Sequence, residues 1–470
     1  VADIQTDVAI IGAGTAGLAA ERHARDSGAQ TLLIDPYFAG TTCATVGCMP
    51  SKLLIAAGNA AHNARTAEGF GIHLPEPEID GPAVMQRLQA QRDRFVDATK
   101  ESIAGLPDGV CLKARAHFTG PTSLALDDGR IVQAKAVVIT TGAHPVIPKP
   151  FKPVEGRIIT NETLFDRPDL PRSVGVIGAG PLGLEMAQAL ARLGVRVEVF
   201  DMGETLAGLP EGAVEASLRE ALGKEMPLHL GVEPEAEQAG DGVRLRWSGA
   251  ETGEATFDHL LVAAGRAPNL DGLALEAAGL ALDDHGAPVF DADTMQCGDA
   301  PIFIAGDANH DQPVLHEASA EGTIAGVNAA GFPQVQPMRR KIPLQIMFTE
   351  PNMAVVGTPG ADGDVCGQTD YADQGRAKAM RRNQGVCEIF ADARDGRLTG
   401  ARLAGPDIEH LAHLLTWEMH NRTRASDLLE KPFYHPTLEE GLKPALQQIC
   451  KAVAAPAAPE RDDGFLPGAS

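Results

Sequence analysis

Asp7-Val-Ala-Ile-Ile-Gly-Ala-Gly-Thr-Ala-Gly17 is the stretch whose reading decides the fold. A β-branched run ends in Gly12, Gly14 and Gly17, spaced Gly-x-Gly-x-x-Gly, and the alanine-rich Leu18–Ser27 follows as a helix. Thr31-Leu-Leu-Ile34 is the next strand and ends on Asp35. Strand, glycine turn, helix, strand and terminal acid are the parts of a βαβ dinucleotide-binding unit. Gly12 permits the tight turn, Gly14 lets backbone approach a pyrophosphate, and Gly17 allows close helix–strand contact. The helix N-terminus supplies amide donors to the phosphates. Asp35 is placed to accept hydrogen bonds from an adenosine ribose.

The same unit recurs. Ser173-Val-Gly-Val-Ile177 leads into Gly178, Gly180 and Gly183, then the helix Leu184–Leu193 and the strand Val195–Phe200 ending on Asp201. Asp35 and Asp201 stand at the same offset from the first glycine of their units. Two copies of one device imply two dinucleotides in one chain. Asp201 discriminates further, because a carboxylate there bonds a 2′-hydroxyl and repels a 2′-phosphate. Met202-Gly-Glu-Thr-Leu-Ala207 offers no Arg or Lys to offset that repulsion, so the second site favours NAD over NADP.

Composition bounds the remaining choices. The 470 residues allow two to four domains, and 44% hydrophobic residues can fill their cores. A formal net charge of −23 argues against nucleic acid and anionic membranes as partners. No apolar run approaches the roughly 20 residues needed to span a bilayer, and no export signal opens the sequence, so the expected location is cytoplasmic. Seven cysteines without regular spacing speak against a disulfide scaffold or a metal site. Cys111, Cys297, Cys366, Cys387 and Cys450 each stand alone and are expected as small buried packing.

Cys43 and Cys48 are different. They lie five apart in Gly40-Thr-Thr-Cys-Ala-Thr-Val-Gly-Cys-Met-Pro-Ser-Lys52, with Gly47 making the turn and Pro50 just beyond. Closing so short a loop stabilises little, which suits a chemical pair better than a structural one. The apolar run Leu53–Ala57 reads as a helix, placing Cys48 near its N-terminus, where a thiolate is favoured.

Further along, Ala136-Val-Val-Ile-Thr-Thr-Gly-Ala-His-Pro-Val-Ile-Pro148 is a strand entering a Gly/Pro turn that includes Thr141 and Gly142. Pro148–Pro153 reads as a linker. Leu260–Asn269, with Gly265 at its turn, closes the second unit, and Ile302-Phe-Ile-Ala-Gly-Asp307 is a third buried strand. Ala318–Ala330 reads as a small-residue helix. From Pro343 an antiparallel sheet is expected, with helices at Glu409–Arg422 and Thr437–Cys450. Thr437-Leu-Glu-Glu440 is also a capping box, and Ala452–Ser470 has too little to bury and reads as a disordered tail.

These motifs, with Tyr434-His-Pro-Thr-Leu-Glu-Glu440 near the end, resemble the pyridine nucleotide–disulfide oxidoreductases. The resemblance implies an α/β flavoenzyme with two Rossmann-like domains and a C-terminal α+β dimerisation domain. It implies 1–150 as the first part of the FAD domain, 151–272 as the NAD domain, 273–342 as the segment completing the FAD domain, 343–453 for dimerisation, and 454–470 as the tail. FAD would be held by the first unit, Thr42, Lys52, Thr141, Gly142, Gly306, Asp307 and the Pro313–His316 stretch with Leu315 and His316. NAD would be held by the second unit and Gly265.

By the same resemblance Cys48 is the charge-transfer thiolate beside the flavin and Cys43 the interchange thiol. His435, oriented by Glu440 and supplied by the partner of a homodimer, is the acid–base group, preceding a cis-proline at Pro436. Lys52, paired with Glu185, stands near flavin N5. Within the family the likeness is greatest to dihydrolipoamide dehydrogenases, from which Thr41, Ala44 and Thr45 depart. Leu53, Leu54 and Ile55 follow without a basic residue, consistent with an apolar lipoyl arm. No lipoyl domain precedes the first unit, so a lipoylated partner would be a separate protein. Mercuric reduction is disfavoured because Cys450 is single and His435 replaces a tyrosine. The alternatives are a reductase of another small or protein disulfide and a non-catalytic redox-sensing flavoprotein.

Overall fold

The strands Thr31–Ile34, Ile4–Ile11, Ile131–Ile139 and Ile302–Ile304 lie side by side and parallel in the computed structural model, which describes residues 3–453. Ile10 faces Leu33 on one side and Val138 on the other. Val8, Ala9 and Ile10 are fully buried because both faces of the sheet are covered, Val8 and Ile10 by residues such as Ala20 and Ala325, and Ala9 by Phe118, Leu124 and Leu273. The short parallel strand Cys111–Leu112 beside Thr31–Ile34 and the antiparallel strands Ser123–Leu126 and Ala116–Gly120 extend this sheet to seven strands.

The helices Thr15–Asp26 and Leu315–Gly331 pack against each other on that sheet. Their approach is set by glycine: a Cβ on Gly322 would lie 2.2 Å from the Ala16 carbonyl, and one on Gly326 2.4 Å from that of Ala20. One sheet is thus built from two separate stretches of chain.

The second unit forms its own five-stranded parallel sheet, in the order Leu228–Leu230, Arg196–Asp201, Ser173–Ile177, His259–Val262, Ile158–Ile159. A three-stranded antiparallel meander, Val232–Ala239, Gly242–Gly249 and Gly253–Phe257, covers it. The expected linker at Pro148–Pro153 is instead part of a 3-10 helix, Lys149–Arg157. The backbone kinks at Val154, and Phe151 and Val154 are both buried with Phe200, Trp247 and Phe257. Proline fixes φ at a value that a 3-10 turn tolerates as readily as an extended linker, so the composition misled.

The C-terminal part is an antiparallel sheet of Leu344–Met347, Asn352–Gly357, Leu398–Gly405, Val386–Asp392 and Asp364–Asp370. Its helices are Ile408–His420 and Leu442–Ala452. The latter begins five residues later than expected, after a cis peptide at His435-Pro436 and a 3-10 turn Glu439–Gly441.

Of the lone cysteines, Cys297 and Cys387 are buried, Cys450 is half-buried, and Cys111 and Cys366 are exposed. The exposed two lie on the edge strands Cys111–Leu112 and Asp364–Asp370, which the packing expectation did not foresee. Among the described residues no helix is long and apolar enough to cross a membrane. The expected tail at 454–470 lies outside the described residues.

Candidate active site

Cys43 sits in a single helical turn, Thr42–Thr45, and Cys48 opens the long helix Cys48–Thr66. Between them Gly47 is required by close approach, since a Cβ there would lie 2.9 Å from the Thr42 carbonyl. Thr41, Ala44 and Thr45 build this turn. The Thr41 hydroxyl accepts the Ala44 amide at 3.3 Å, the Thr45 hydroxyl donates to the Thr41 carbonyl at 2.7 Å, and Ala44 is buried. The departures at these positions therefore act on the turn.

The two thiols are free and strongly polarised against each other. Cys48 is pulled down to about 6, first by the neighbouring Cys43 thiol, against desolvation, with the Lys52 charge and its own amide at the helix start adding. Cys43 is pushed far up by the Cys48 sulfur and by burial. One proton shared unequally by two sulfurs leaves Cys48 as the thiolate.

Lys52, one turn further along the helix, donates to Glu185 at 2.7 Å, and Glu185 is almost fully buried. The other Glu185 oxygen accepts the Phe348 amide at 2.8 Å, and the ammonium lies 4.5 Å from the Phe348 ring centre. A charge on the second unit and a loop of the C-terminal sheet thus fix the lysine.

Leu54 and Ile55 are buried in the hydrophobic core, with Leu53 packed against it. They cannot form an apolar wall for a substrate arm, and that expectation is withdrawn. A helix period of 3.6 residues sends neighbouring apolar side chains inward wherever two helices cover the same face.

Cys43, Cys48, Lys52 and Glu185 share a cavity of about 510 Å³ with Gly14, Thr42, Gly142, Gly306, Asp307, Leu315 and His316. Gly14 caps the helix Thr15–Asp26 without any side-chain partner for the first-turn amides, and open space surrounds the position a Cβ would take. Thr141 Oγ1 and His316 Nε2 are buried without a hydrogen-bond partner. Free amides at a helix start, an open glycine and orphaned polar atoms fit a phosphate-bearing ring cofactor.

Gly12, Gly17, Asp35 and Thr141 stand behind this lining. A Cβ on Gly12, whose φ is +106°, would meet the Thr140 carbonyl at 2.4 Å, and one on Gly17 the Gly12 carbonyl at 1.9 Å. The second unit repeats the device: Gly178 has φ +109°, a Cβ on Gly183 would lie 2.0 Å from the Gly178 carbonyl, and Gly180 is open. Gly265, also at positive φ, has open space beside it. None of these second-unit glycines, nor Asp201, lines the cavity, whose contact with that unit is through Asn161, Pro181, Leu182, Glu185 and Arg266.

Both acids have backbone partners. Asp35 accepts from Ala13 N at 3.0 Å and from the Tyr37 and Phe38 amides at 2.8 and 2.7 Å. Asp201 accepts from Ala179 N at 2.5 Å and Gly203 N at 2.6 Å. Each carboxylate therefore ties the glycine turn to the loop after the second strand, a structural task beside any ribose contact.

His435 Nδ1 lies 3.1 Å from Glu440, whose carboxylate also accepts the Thr437 amide at 3.1 Å. The Thr437 hydroxyl bonds to the Tyr434 carbonyl, so only half of the expected capping box forms. His435 is 77% exposed and does not line the cavity of its own chain.

The sequence profile described as pyridine nucleotide-disulphide oxidoreductase matches residues 6–322, and that of the family's dimerisation domain matches 344–446. The chain belongs to the pyridine nucleotide–disulphide oxidoreductases. This oxidoreductase is 32% identical over 466 residues to a mercuric reductase of Acidithiobacillus ferrooxidans, covering 95% of this chain and 83% of that one. It is 30% identical over 459 residues to a dihydrolipoyl dehydrogenase of Thermus scotoductus, covering 95% and 97%. Among solved structures, HOCl-induced flavoprotein disulfide reductase RclA of Escherichia coli superposes with TM-score 0.79 at 22% identity, over 94% of this chain and 99% of that one. LpdA of Mycobacterium tuberculosis gives 0.80 at 24%, over 95% and 99%. These two structural likenesses carry the fold.

FAD and NAD(P) are the cofactors of this family, and the two glycine turns fit them, with Thr141 Oγ1 and His316 Nε2 as orphaned groups at the first. Some contributors to the oxidoreductase's cavity escaped the motif reading. Arg266 lies 3.7 Å from Asp307 and donates to the Ala143 carbonyl, and it directly follows Gly265 in a turn already singled out. Phe348, Asn161 and His413 come from stretches with no motif at all.

Proposed function

We propose that this flavoprotein disulfide oxidoreductase moves electrons between NAD(H) and a dithiol or disulfide through Cys43 and Cys48, with dihydrolipoamide as its substrate. The observation that carries the reading is Cys48, held as a thiolate at a helix start beside the Lys52–Glu185 pair. Bound flavin would supply the two-electron exchange between nicotinamide and sulfur.

The chain's own residues then do the following. His435 takes the proton from a substrate thiol, with Glu440 holding the imidazole in place. The substrate thiolate bonds to the Cys43 sulfur of the Cys43–Cys48 disulfide, and Cys48 leaves as a thiolate. Its low pKa makes it the better leaving group. The second substrate thiol displaces Cys43, releasing the oxidised substrate, and Cys43 leaves as a thiol. Because His435 is exposed and outside its own chain's cavity, a second copy in a homodimer supplies it.

NAD is favoured by Asp201. The Arg219 guanidinium reaches its loop but is committed to the Glu204 carbonyl and to Glu215. Dihydrolipoamide rests on this preference and on relatives named dihydrolipoyl dehydrogenase. A reductase of another disulfide is the competing reading. Steady-state rates with dihydrolipoamide and NAD, against glutathione disulfide with NADH or NADPH, decide it. Negligible lipoamide-dependent NAD reduction removes the assignment. His435→Ala should abolish turnover of dithiols while NADH still bleaches the flavin.

A further inference from the structure

Glu321 is completely buried, yet it carries three strong contacts. One oxygen accepts the Gly306 amide and the Asn309 side-chain amide, both at 2.8 Å, and the other accepts from Arg340 at 2.6 Å. Gly306–Asn309 is the short turn that carries Asp307 into the cavity. Gly306 has φ +73°, and its Cβ position lies 3.0 Å from Ala16 and 3.3 Å from Ala318. The turn is therefore wedged between two helices, and Glu321 holds it at both ends, by the Gly306 amide and the Asn309 side chain.

Arg340 stands in the connection between the helix Leu315–Gly331 and the strand Leu344–Met347. It meets three carboxylates: Asp311 at 2.6 Å, Glu317 at 3.2 Å and Glu321 at 2.6 Å. Glu317 is almost fully buried too, and one of its oxygens has no hydrogen-bond partner. Without the guanidinium, two buried acids would face each other with no cation, and one would have to protonate or move. The acid that moves would carry the Gly306 amide with it.

We propose that Arg340 is a positioning residue of the flavin site, setting the Gly306–Asn309 turn, and so Asp307, through Glu321. The proposal rests on the reading of this cavity as the FAD site, and the test separates the two. The measurement is the rate of FAD release from purified holoenzyme, followed by the rise of free-flavin fluorescence. Arg340→Met should release FAD faster by on the order of tenfold or more, the cost of one charge-assisted hydrogen bond. Arg340→Met combined with Glu321→Gln should recover most of the loss, because the amide oxygen still accepts from Gly306 and Glu317 no longer faces a second buried carboxylate.

A general loss of stability would be reported by thermal unfolding of the apoprotein and would leave the single and double variants alike in FAD release. Release from Arg340→Met at the wild-type rate, or a double variant no better than the single, overturns the proposal. Should Arg340→Met fail to fold, the double variant decides alone, by holding FAD nearly as wild type does or by failing to. Wild-type protein that takes up no flavin would instead overturn the reading of the cavity.

Discussion

Cys48 and Cys43 show how two identical side chains acquire opposite roles. Position at a helix start and the Lys52 charge favour the anion on Cys48, and that anion in turn keeps Cys43 protonated. Each thiol should therefore relax when the other is removed. In Cys43→Ala the Cys48 pKa should rise by roughly 1–2 units, and in Cys48→Ala the Cys43 pKa should fall at least as far, the worth of a hydrogen bond to a charged sulfur. Iodoacetamide alkylation rates against pH measure both; unmoved midpoints would mean that the sulfurs do not interact. In the reduced wild type, alkylation at Cys48 should rise through about pH 6, where its thiolate forms. Lys52→Met should shift that midpoint upward, since the positive charge that favours the thiolate is gone.

Elements tell more clearly what a sequence can reveal. The glycine turns were legible because their positions answer to backbone collisions: Gly12, Gly17, Gly178 and Gly183 each have a carbonyl where a Cβ would stand. For Gly17 and Gly183 that carbonyl belongs to the first glycine of the same turn, so the spacing encodes it directly. The 3-10 helix Lys149–Arg157 was not legible, since its apolar residues matter only once the meander is there to receive them. Arg340 and Glu321 were invisible for the same reason, being nineteen residues apart and meeting only once the chain has folded around the turn at Gly306. Gly322 and Gly326 lay unremarked inside a small-residue helix, though they decide how closely it approaches Thr15–Asp26. Replacing either by Ala should force the helices apart and cost about 1–3 kcal/mol of stability, read from urea unfolding with flavin release as a second signal. A neutral substitution would mean the pair can slide without loss.

At the scale of the molecule, one buried guanidinium gathers three regions. Arg192, 3% exposed, holds Glu225 through two bonds of 2.7 Å, Glu350 at 2.9 Å and Asn59 at 2.6 Å. Arg382 extends the network to Glu350 at 2.5 Å and Asp407 at 2.8 Å. Arg192→Met leaves Glu225 and Glu350 without their shared cation and should cost about 3–5 kcal/mol in urea unfolding. Desolvation pushes Glu350 up, but Arg382 and Arg192 outweigh it and hold its carboxyl below the ordinary 4.5. A depressed pKa stabilises above its unfolded value and is lost as pH falls through the folded one. The wild-type advantage over Arg192→Met should therefore shrink on acidification below about pH 4.5, and a gap independent of pH would contradict the pairing.

The order in which the chain leaves the ribosome now matters. Ile302–Ile304 completes the sheet beside Ile131–Ile139, yet it is made only after the entire second unit. At about 5–20 residues per second, the apolar flank of Ile131–Ile139 waits roughly 8–30 s for its neighbour. Nascent chains halted before Ile302 would carry a bare, hydrophobic strand edge, so the newborn protein is most in need of chaperones late in its synthesis, when its middle is already finished.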